Sequence, residues 1–446
     1  MNKSISITIL LLILTLPTIL LINLSSCDTT EPPEQTELPK AIKLKLLEIS
    51  CTEAFINVNA ADSVLPVAIT LKKDNTVLFS FTLTKTDTVV IDTTLQPNIT
   101  YTYQTTAQIK GKEENSDTIQ VKTLNTTSHN FTWQTFTFGG IGGSSVLNDV
   151  AIIDENNVWA VGEIYADTTG QAYNAVHWNG SSWELLKLQF YTFCGQTSTG
   201  SYPAKAIFAF DNGEIWISSS GDKIALLENG IQIDKFCLPS NVSMSINKIW
   251  GSSSDDLYAV GNGGNIAHYK NGSWSRIESG TTTNINDVWG INDSTANNSL
   301  ALCTVSSRYH LGDYKLLSIS GNTANEYFNW PYTRLYGIWF NSPRNIYIVG
   351  AGAYVYKNSR LKTINLPTNY FLTRVKGNAL NDVYISTSDA LIFHYDGIDW
   401  NEFSNGIYGG YEGMDIKSNT VALVGYNIEG GIVGKAIVTI GKHIIR

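Results

Sequence analysis

Charge is in short supply in this chain. Only 15% of the 446 residues are Asp, Glu, Lys or Arg, against about 25% in an average soluble domain, so Ser, Thr, Asn and Gly must cover much of the surface. What charge there is leans acidic, with 30 Lys and Arg against 39 Asp and Glu and a net of −9. Without a basic excess, counterion release cannot drive binding to nucleic acid. Low charge with abundant Gly, Thr and Asn also argues against long helices and coiled coils. Cysteine is sparse, with five in all. The spacings of Cys51, Cys194, Cys237 and Cys303 fit no metal knuckle. Buried free thiols are the expectation for these four, although an oxidising compartment allows three pairings. No Gly-x-Ser-x-Gly elbow, His-Glu-x-x-His helix or phosphate-cradling glycine loop occurs, and no polar cluster has the spacing of an EF-hand loop. No metal or cofactor is expected, and binding is expected before catalysis.

Residues 1–26 read as a targeting signal, with Lys3 ahead of a mostly apolar stretch that Pro17 interrupts. Leu24-Ser25-Ser26-Cys27 follows, and these four residues resemble the lipobox of bacterial lipoproteins. The resemblance implies acylation of Cys27, an extracytoplasmic protein, and anchoring to the cell envelope, with the outer membrane or cell surface favoured. Several acyl chains on one residue hold a membrane stably where one does not. Residues 27–39 are acidic, contain three prolines, and read as an extended tether. Which membrane and which side stay open.

Glycine and tryptophan are all but missing from the first part of what remains. Residues 40–124 hold one Gly and no Trp, whereas every Trp lies at or beyond Trp133. Alternation such as Ala54, Ile56, Val58 and Phe79, Phe81, Leu83 predicts short strands of an all-β sandwich. Leu95-Gln96-Pro97-Asn98-Ile99-Thr100-Tyr101 resembles the fibronectin type III pattern before its sixth strand, with Ile99 where that family has Thr. The resemblance implies that Tyr101 closes a hydrogen bond to the chain just upstream, and it suggests a spacer.

From Trp133 onward the sequence repeats. The clearest unit runs from Ile246 to Trp274: three apolar runs divided by turn residues, with Asn271-Gly272 as a tight-hairpin signal. Its second run recurs seven times, centred on Trp159, Trp216, Tyr258, Ala301, Tyr347, Tyr384 and Ala422, at spacings of 37 to 57 residues. Four strands per unit of this length is one propeller blade. The units are similar to uncharacterised bacterial propeller repeats of the form Asp-Val-Trp-x-x-x-x-Asp-Asp-Val-Tyr-Ala-Val-Gly, which implies a fold and no activity. Residues 133–446 are thus expected to form a seven-bladed β-propeller. Trp133 to Phe138 match the fourth-strand form and should join the last blade, closing the ring. His177, His268 and His394 occupy one position in three blades, which predicts a repeated packing role rather than a zinc set. The pairs Asn148-Asp149 and Asn286-Asp287 are repeat positions too, expected to make turn or capping hydrogen bonds.

Loops between blades are long and aromatic. They carry Tyr191 and Tyr202, then Tyr327, Trp330 and Tyr332, then Tyr408 and Tyr411. Rigid rings on loops make contact surface at low entropy cost, so these seven residues are the candidate binding site, with Trp330 foremost because no blade position accounts for it. The expected partner is a glycan, a peptide or an envelope protein. An envelope assembly scaffold is the alternative. A carbohydrate-active enzyme, with a carboxylate pair drawn from Asp167, Glu326, Glu412 and Glu429, comes third.

Overall fold

The computed structural model describes residues 40–444 apart from 170–171, 294–297, 307–312, 332–333 and 430–432. Cys27, the tether and Tyr332 lie outside the described residues. Those described are all-β, in ten antiparallel sheets, and no helix among them is long and apolar enough to cross a membrane.

The first two sheets come from residues 42–122. One has the strand order Ile42–Ile49, Ala54–Ala60, Asp87–Asp92. The other runs Thr76–Leu83, Val67–Lys73, Thr100–Ile109, Lys112–Asn115, with Ile119–Lys122 also paired to Thr100–Ile109. Alternate side chains turn inward, as a two-residue period requires, and both sheets feed the same clusters: Val58 with Ile69 and Leu83, and Ile56 with Leu71 and Tyr103. Each Ile or Leu buried in this way contributes about 1.5–3 kcal/mol. The Gln96 N–H donates to the Tyr101 hydroxyl oxygen at 3.0 Å, the upstream bond that the sequence pattern implies.

Seven four-stranded sheets follow, and the seven repeated residues from Trp159 to Ala422 each fall on the second strand of one of them. Their first strands are Val146–Asp154, Ala204–Ala209, Ile246–Ser253, Ile285–Asp293, Leu335–Ser342, Leu372–Ala379 and Gly409–Lys417. Each first strand lies against the next, and the seventh lies against the first. Six sheets are contiguous in sequence. The seventh takes its outer strand from far upstream: Phe131–Phe138 pairs antiparallel with Val433–His443. Short hairpins supply the turns, and at Asn271 and Gly272 both φ angles are positive (49° and 81°), the twist-matched two-residue turn.

Cys194 and Cys237 are joined in a disulfide, with Cα atoms 5.9 Å apart, so the expectation of four free thiols is corrected. The bond becomes possible because the connector after the first sheet folds into a small hairpin, Phe190–Tyr191 with Thr199–Gly200, which carries Cys194 to the outer strand Ile231–Cys237. Cys51 and Cys303 are buried free thiols.

The amino-terminal sheets dock on the fifth and sixth of the seven. Glu53 forms an ion pair with Lys357, whose ammonium also lies 5.6 Å from the Phe55 ring centroid. Ser342 donates to Glu48 at 2.7 Å. The connecting segment is bonded too, with Asn381 donating to the Asn125 carbonyl at 2.6 Å. These partners on the seven sheets lie in, or at the strand ends beside, turns between first and second or third and fourth strands.

Candidate functional site at the centre of the seven sheets

All seven first strands carry a register break near their start, so one residue in each has no partner on the second strand. The residues are Asn148, Lys205, Asn247, Asn286, Tyr336, Thr373 and Glu412. A bulge bends the strand and re-aims the side chain. The asparagines use it to reach the neighbouring sheet: Asn148 donates to the Ala204 carbonyl at 2.8 Å, Asn247 to Ile285 at 2.9 Å and Asn286 to Leu335 at 3.4 Å. The following aspartates do the same with carboxylate oxygens. Asp149 accepts from the Ile207 N–H at 3.0 Å, and Asp287 from the Ile338 N–H at 3.1 Å. The Asn-Asp pairs thus fasten sheet to sheet, rather than capping a turn within their own sheet.

Deeper along these strands, opposite charges are buried together. Lys248 holds both oxygens of Asp149, at 2.6 and 2.7 Å. Lys376 lies 3.5 Å from the Trp289 ring centroid, and burial pushes its ammonium down to about 8. Burial pushes the Asp415 carboxyl up, offset in part by the Ile152 N–H and by Lys376.

Above this layer opens a cavity of about 410 Å³. Lys205, Arg334 and Arg374 line it, with Asn247, Asn262, Asn284 and Asn286 and the rings of Tyr336 and Phe371, and no carboxylate is among the described residues of the lining. Arg374 is 4% exposed. Its guanidinium stacks 4.9 Å from the Tyr336 centroid and donates from Nη1 to the Thr373 carbonyl, while Nε has no hydrogen-bond partner among the described residues. Arg334 and Phe371 directly precede first strands, and Ser306 and Ser388 directly follow second strands, so the cavity opens on the face that carries the inter-sheet connectors. A separate cavity of about 160 Å³, lined by Lys248, Trp289, Lys376 and Asp415, lies further along the same strands.

The aromatic set read from the sequence is not gathered at this mouth. Trp330 is 6% exposed and packs with Leu335, Phe340 and Ile348 in the core between the fourth and fifth sheets. Tyr411 is fully buried, its hydroxyl 3.1 Å from that of Thr439. These two rings fill the interior and are not presented to a partner. Tyr327 packs edge-on to Tyr356, Tyr202 bonds to Thr192 at 2.9 Å, and Tyr191 lies under the Lys235 ammonium. Tyr408 is 71% exposed. The rings that do line the cavity, Tyr336 and Phe371, were missed because they sit at the start of first strands and read there as core. The cations were missed for a related reason: Lys205, Arg334 and Arg374 are far apart in sequence, and only their shared place near the start of a first strand could have grouped them.

The three blade histidines have a common structural setting. His177 stacks on Trp159, His268 on Tyr258 and His394 on Tyr384, with centroids 4.2, 4.3 and 4.5 Å apart. In each, Nε2 meets an acceptor on the second strand: Asn157 at 2.9 Å, Asp256 at 2.6 Å and Asp382 at 3.0 Å.

No protein-family model matches the sequence, and no curated protein matches it. Solved structures do. YCF48 bound to D1 peptide aligns with a TM-score of 0.53 at 12% identity, over 72% of this chain and 97% of that one. YCF48 from Cyanidioschyzon merolae gives 0.47 at 14% identity, over 69% and 98%, and the C-terminal WD40 domain of Sif2 gives 0.42 at 10%, over 76% and 91%. At such identities the first likeness speaks for the fold alone. The chain is an all-β protein of β-propeller type.

Proposed function

We propose that this protein is a lipid-anchored, extracytoplasmic binding protein in which a fibronectin-like sandwich carries a seven-bladed propeller, and that the central cavity takes an acidic segment of a peptide or protein partner. The observation that carries the binding reading is the lining of the cavity. In a chain with a net charge of −9, three cations and a bed of asparagine amides line it, and none of the described residues that line it is a carboxylate. Arg334 and Arg374 offer planar, bidentate donors for carboxylates, and the asparagines can bond an extended backbone. The solved structure that aligns with the highest TM-score given above is one with a peptide bound, which makes a peptide the first class to test. Seven sheets with cyclic neighbours, the last completed by Phe131–Phe138, support the blade count. The Leu24-Ser25-Ser26-Cys27 motif supports the anchor, and the Cys194–Cys237 disulfide suits an oxidising compartment.

The test uses the full-length protein in detergent and fluorescent peptides matched in length but acidic, neutral or basic. Acidic peptides are expected to bind, with affinity falling as salt rises. Charge reversal at exposed Arg334 (Arg334→Glu) should weaken binding at least tenfold while the fold is kept. Equal binding of neutral and acidic peptides overturns the reading. Fatty-acid labelling of wild type but not of Cys27→Ala tests the anchor separately.

A further inference from the structure

The smaller cavity further along the first strands, which the peptide reading does not use, has an unpaired amine in its wall. It measures about 160 Å³, and Lys376 lines it. The side chain is 4% exposed, and its ammonium makes no hydrogen bond or ion pair with any described residue. It rests instead on the face of Trp289, 3.5 Å from the ring centroid. Lys248 in the same lining is a different case, because both oxygens of Asp149 hold it. A buried charge is normally paired, so a lysine left bare at this depth keeps its nitrogen for something that enters the cavity.

The rest of the lining fits a small carbonyl compound. Ile207, Phe208, Ile249 and Met414 give it apolar walls. Asp415 stands among them, with Oδ2 accepting from the Ile152 N–H at 2.7 Å. Burial pushes its carboxyl up, so that it can hold a proton to give. Burial also brings the Lys376 ammonium down to about 8, against the pull of Asp287, Asp415 and Asp149 and with the help of Lys248. About a tenth of such an amine is neutral at pH 7. The lining ends at Lys417, the last residue of the seventh first strand, with 42% of its side chain exposed. This puts the mouth on the side of the turns between first and second strands, away from the cationic cavity.

We infer that this cavity is a covalent binding site for a short-chain aldehyde, with Lys376 as the nucleophile and Asp415 as the proton donor. A lysine freed of its proton in an apolar pocket forms Schiff bases with carbonyl compounds. The Nζ lone pair adds to the aldehyde carbon, the carbonyl π pair moves to oxygen, and one proton passes from nitrogen to that oxygen. Asp415 then protonates the hydroxyl. Water leaves as the nitrogen lone pair forms the C=N bond, and the remaining nitrogen proton returns to the Asp415 carboxylate. The products are a neutral imine and one water, and no oxidant or reductant is needed. At about 30 Å³ for each water-sized group, the cavity holds roughly five heavy atoms, the size of butanal.

The experiment treats untagged full-length protein in detergent with butanal and cyanoborohydride, which reduces the imine to a stable secondary amine. Peptide mass mapping then locates the modified lysines. Near neutral pH, Lys376 should be labelled at least tenfold faster than Lys110, which is exposed. Its rate should level off above about pH 8, where that of an ordinary lysine still climbs. The wider 3-cyclohexylpropanal has the same reacting end and should label Lys110 as butanal does, but spare Lys376. Asp415→Asn can still accept from the Ile152 N–H but cannot transfer a proton, and it should slow labelling of Lys376 at least tenfold. Labelling of Lys376 no faster than that of Lys110 overturns the proposal. So does equal labelling of Lys376 by the two aldehydes, or an unchanged rate in Asp415→Asn. The comparison of aldehydes is made on the wild type and stands whether or not the variant folds.

Discussion

Lys376 shows what a single buried charge does to the molecule. It lies on a first strand, 4% exposed, against the Trp289 ring, and burial lowers its ammonium from 10.5 to about 8. Between these values the unfolded chain holds a proton that the folded chain has released, so this residue's contribution to stability climbs with pH across that window. The cost of burying the charge is present in full below about pH 8. Lys376→Met keeps most of the apolar contact and removes the titration. Its chemical-denaturation stability is expected to depend less on pH between 8 and 10.5 than that of wild type, and the two stabilities should draw together towards the alkaline end. Equal pH slopes would show that the ammonium stays solvated. Single residues were the part of the molecule least open to reading from sequence. Trp330 stands outside the repeat register, but register does not tell whether a loop folds back, and here the indole drops into the gap between two sheets. Blade histidines were readable as packing because their spacing repeats.

Strands carry the regularity that the sequence did reveal. A second strand is buried on both faces and recurs as a compact apolar word, and seven such words could be counted. Bulges could not be counted, because a register break is a property of two strands, and the unpaired residue is polar in six cases but an aromatic at Tyr336. The aromatic of one first strand packs on a glycine of the next: a Cβ built on Gly290 would stand 2.4 Å from the Trp250 ring, and one on Gly377 would stand 2.7 Å from Trp339. This explains why Trp and Gly arrive together after residue 132. Gly290→Ala is expected to cost at least about 1–3 kcal/mol, the range for overpacking, because the ring it meets is itself buried. Trp250→Leu in the same chain should recover part of that loss, and a midpoint shift that the second change does not reduce would show that the two residues do not share a contact.

At the scale of the whole molecule, the two amino-terminal sheets are seated on the fifth and sixth of the seven four-stranded sheets rather than strung ahead of them. The seat includes the Glu53–Lys357 pair, in which burial takes the Lys357 ammonium down to about 8. Glu53→Gln removes the carboxylate paired with that ammonium and is expected to loosen the seat, with Glu48 left as the nearby acidic group. Faster cleavage between residues 124 and 131 is the expected result in limited proteolysis, with the ring itself still resistant. Unchanged cleavage would mean that the remaining contacts hold the seat alone. The seat is in and beside turns between first and second or third and fourth strands, and the cationic cavity opens on the other side, where the connectors run.

The pairing of Phe131–Phe138 with Val433–His443 also imposes an order in time. Thr135 and Thr439, which bond across this pair, are 304 residues apart in sequence. A chain made from its amino end delivers the outer strand of the seventh sheet first and its three companions last. Six sheets can form from neighbouring hairpins as they emerge, but that strand waits with an unpaired edge throughout, and contacts of such long sequence separation are slow to find. The interval between the two deliveries is when the growing chain is most open to pairing with the wrong edge, and it ends only when the last hairpin arrives.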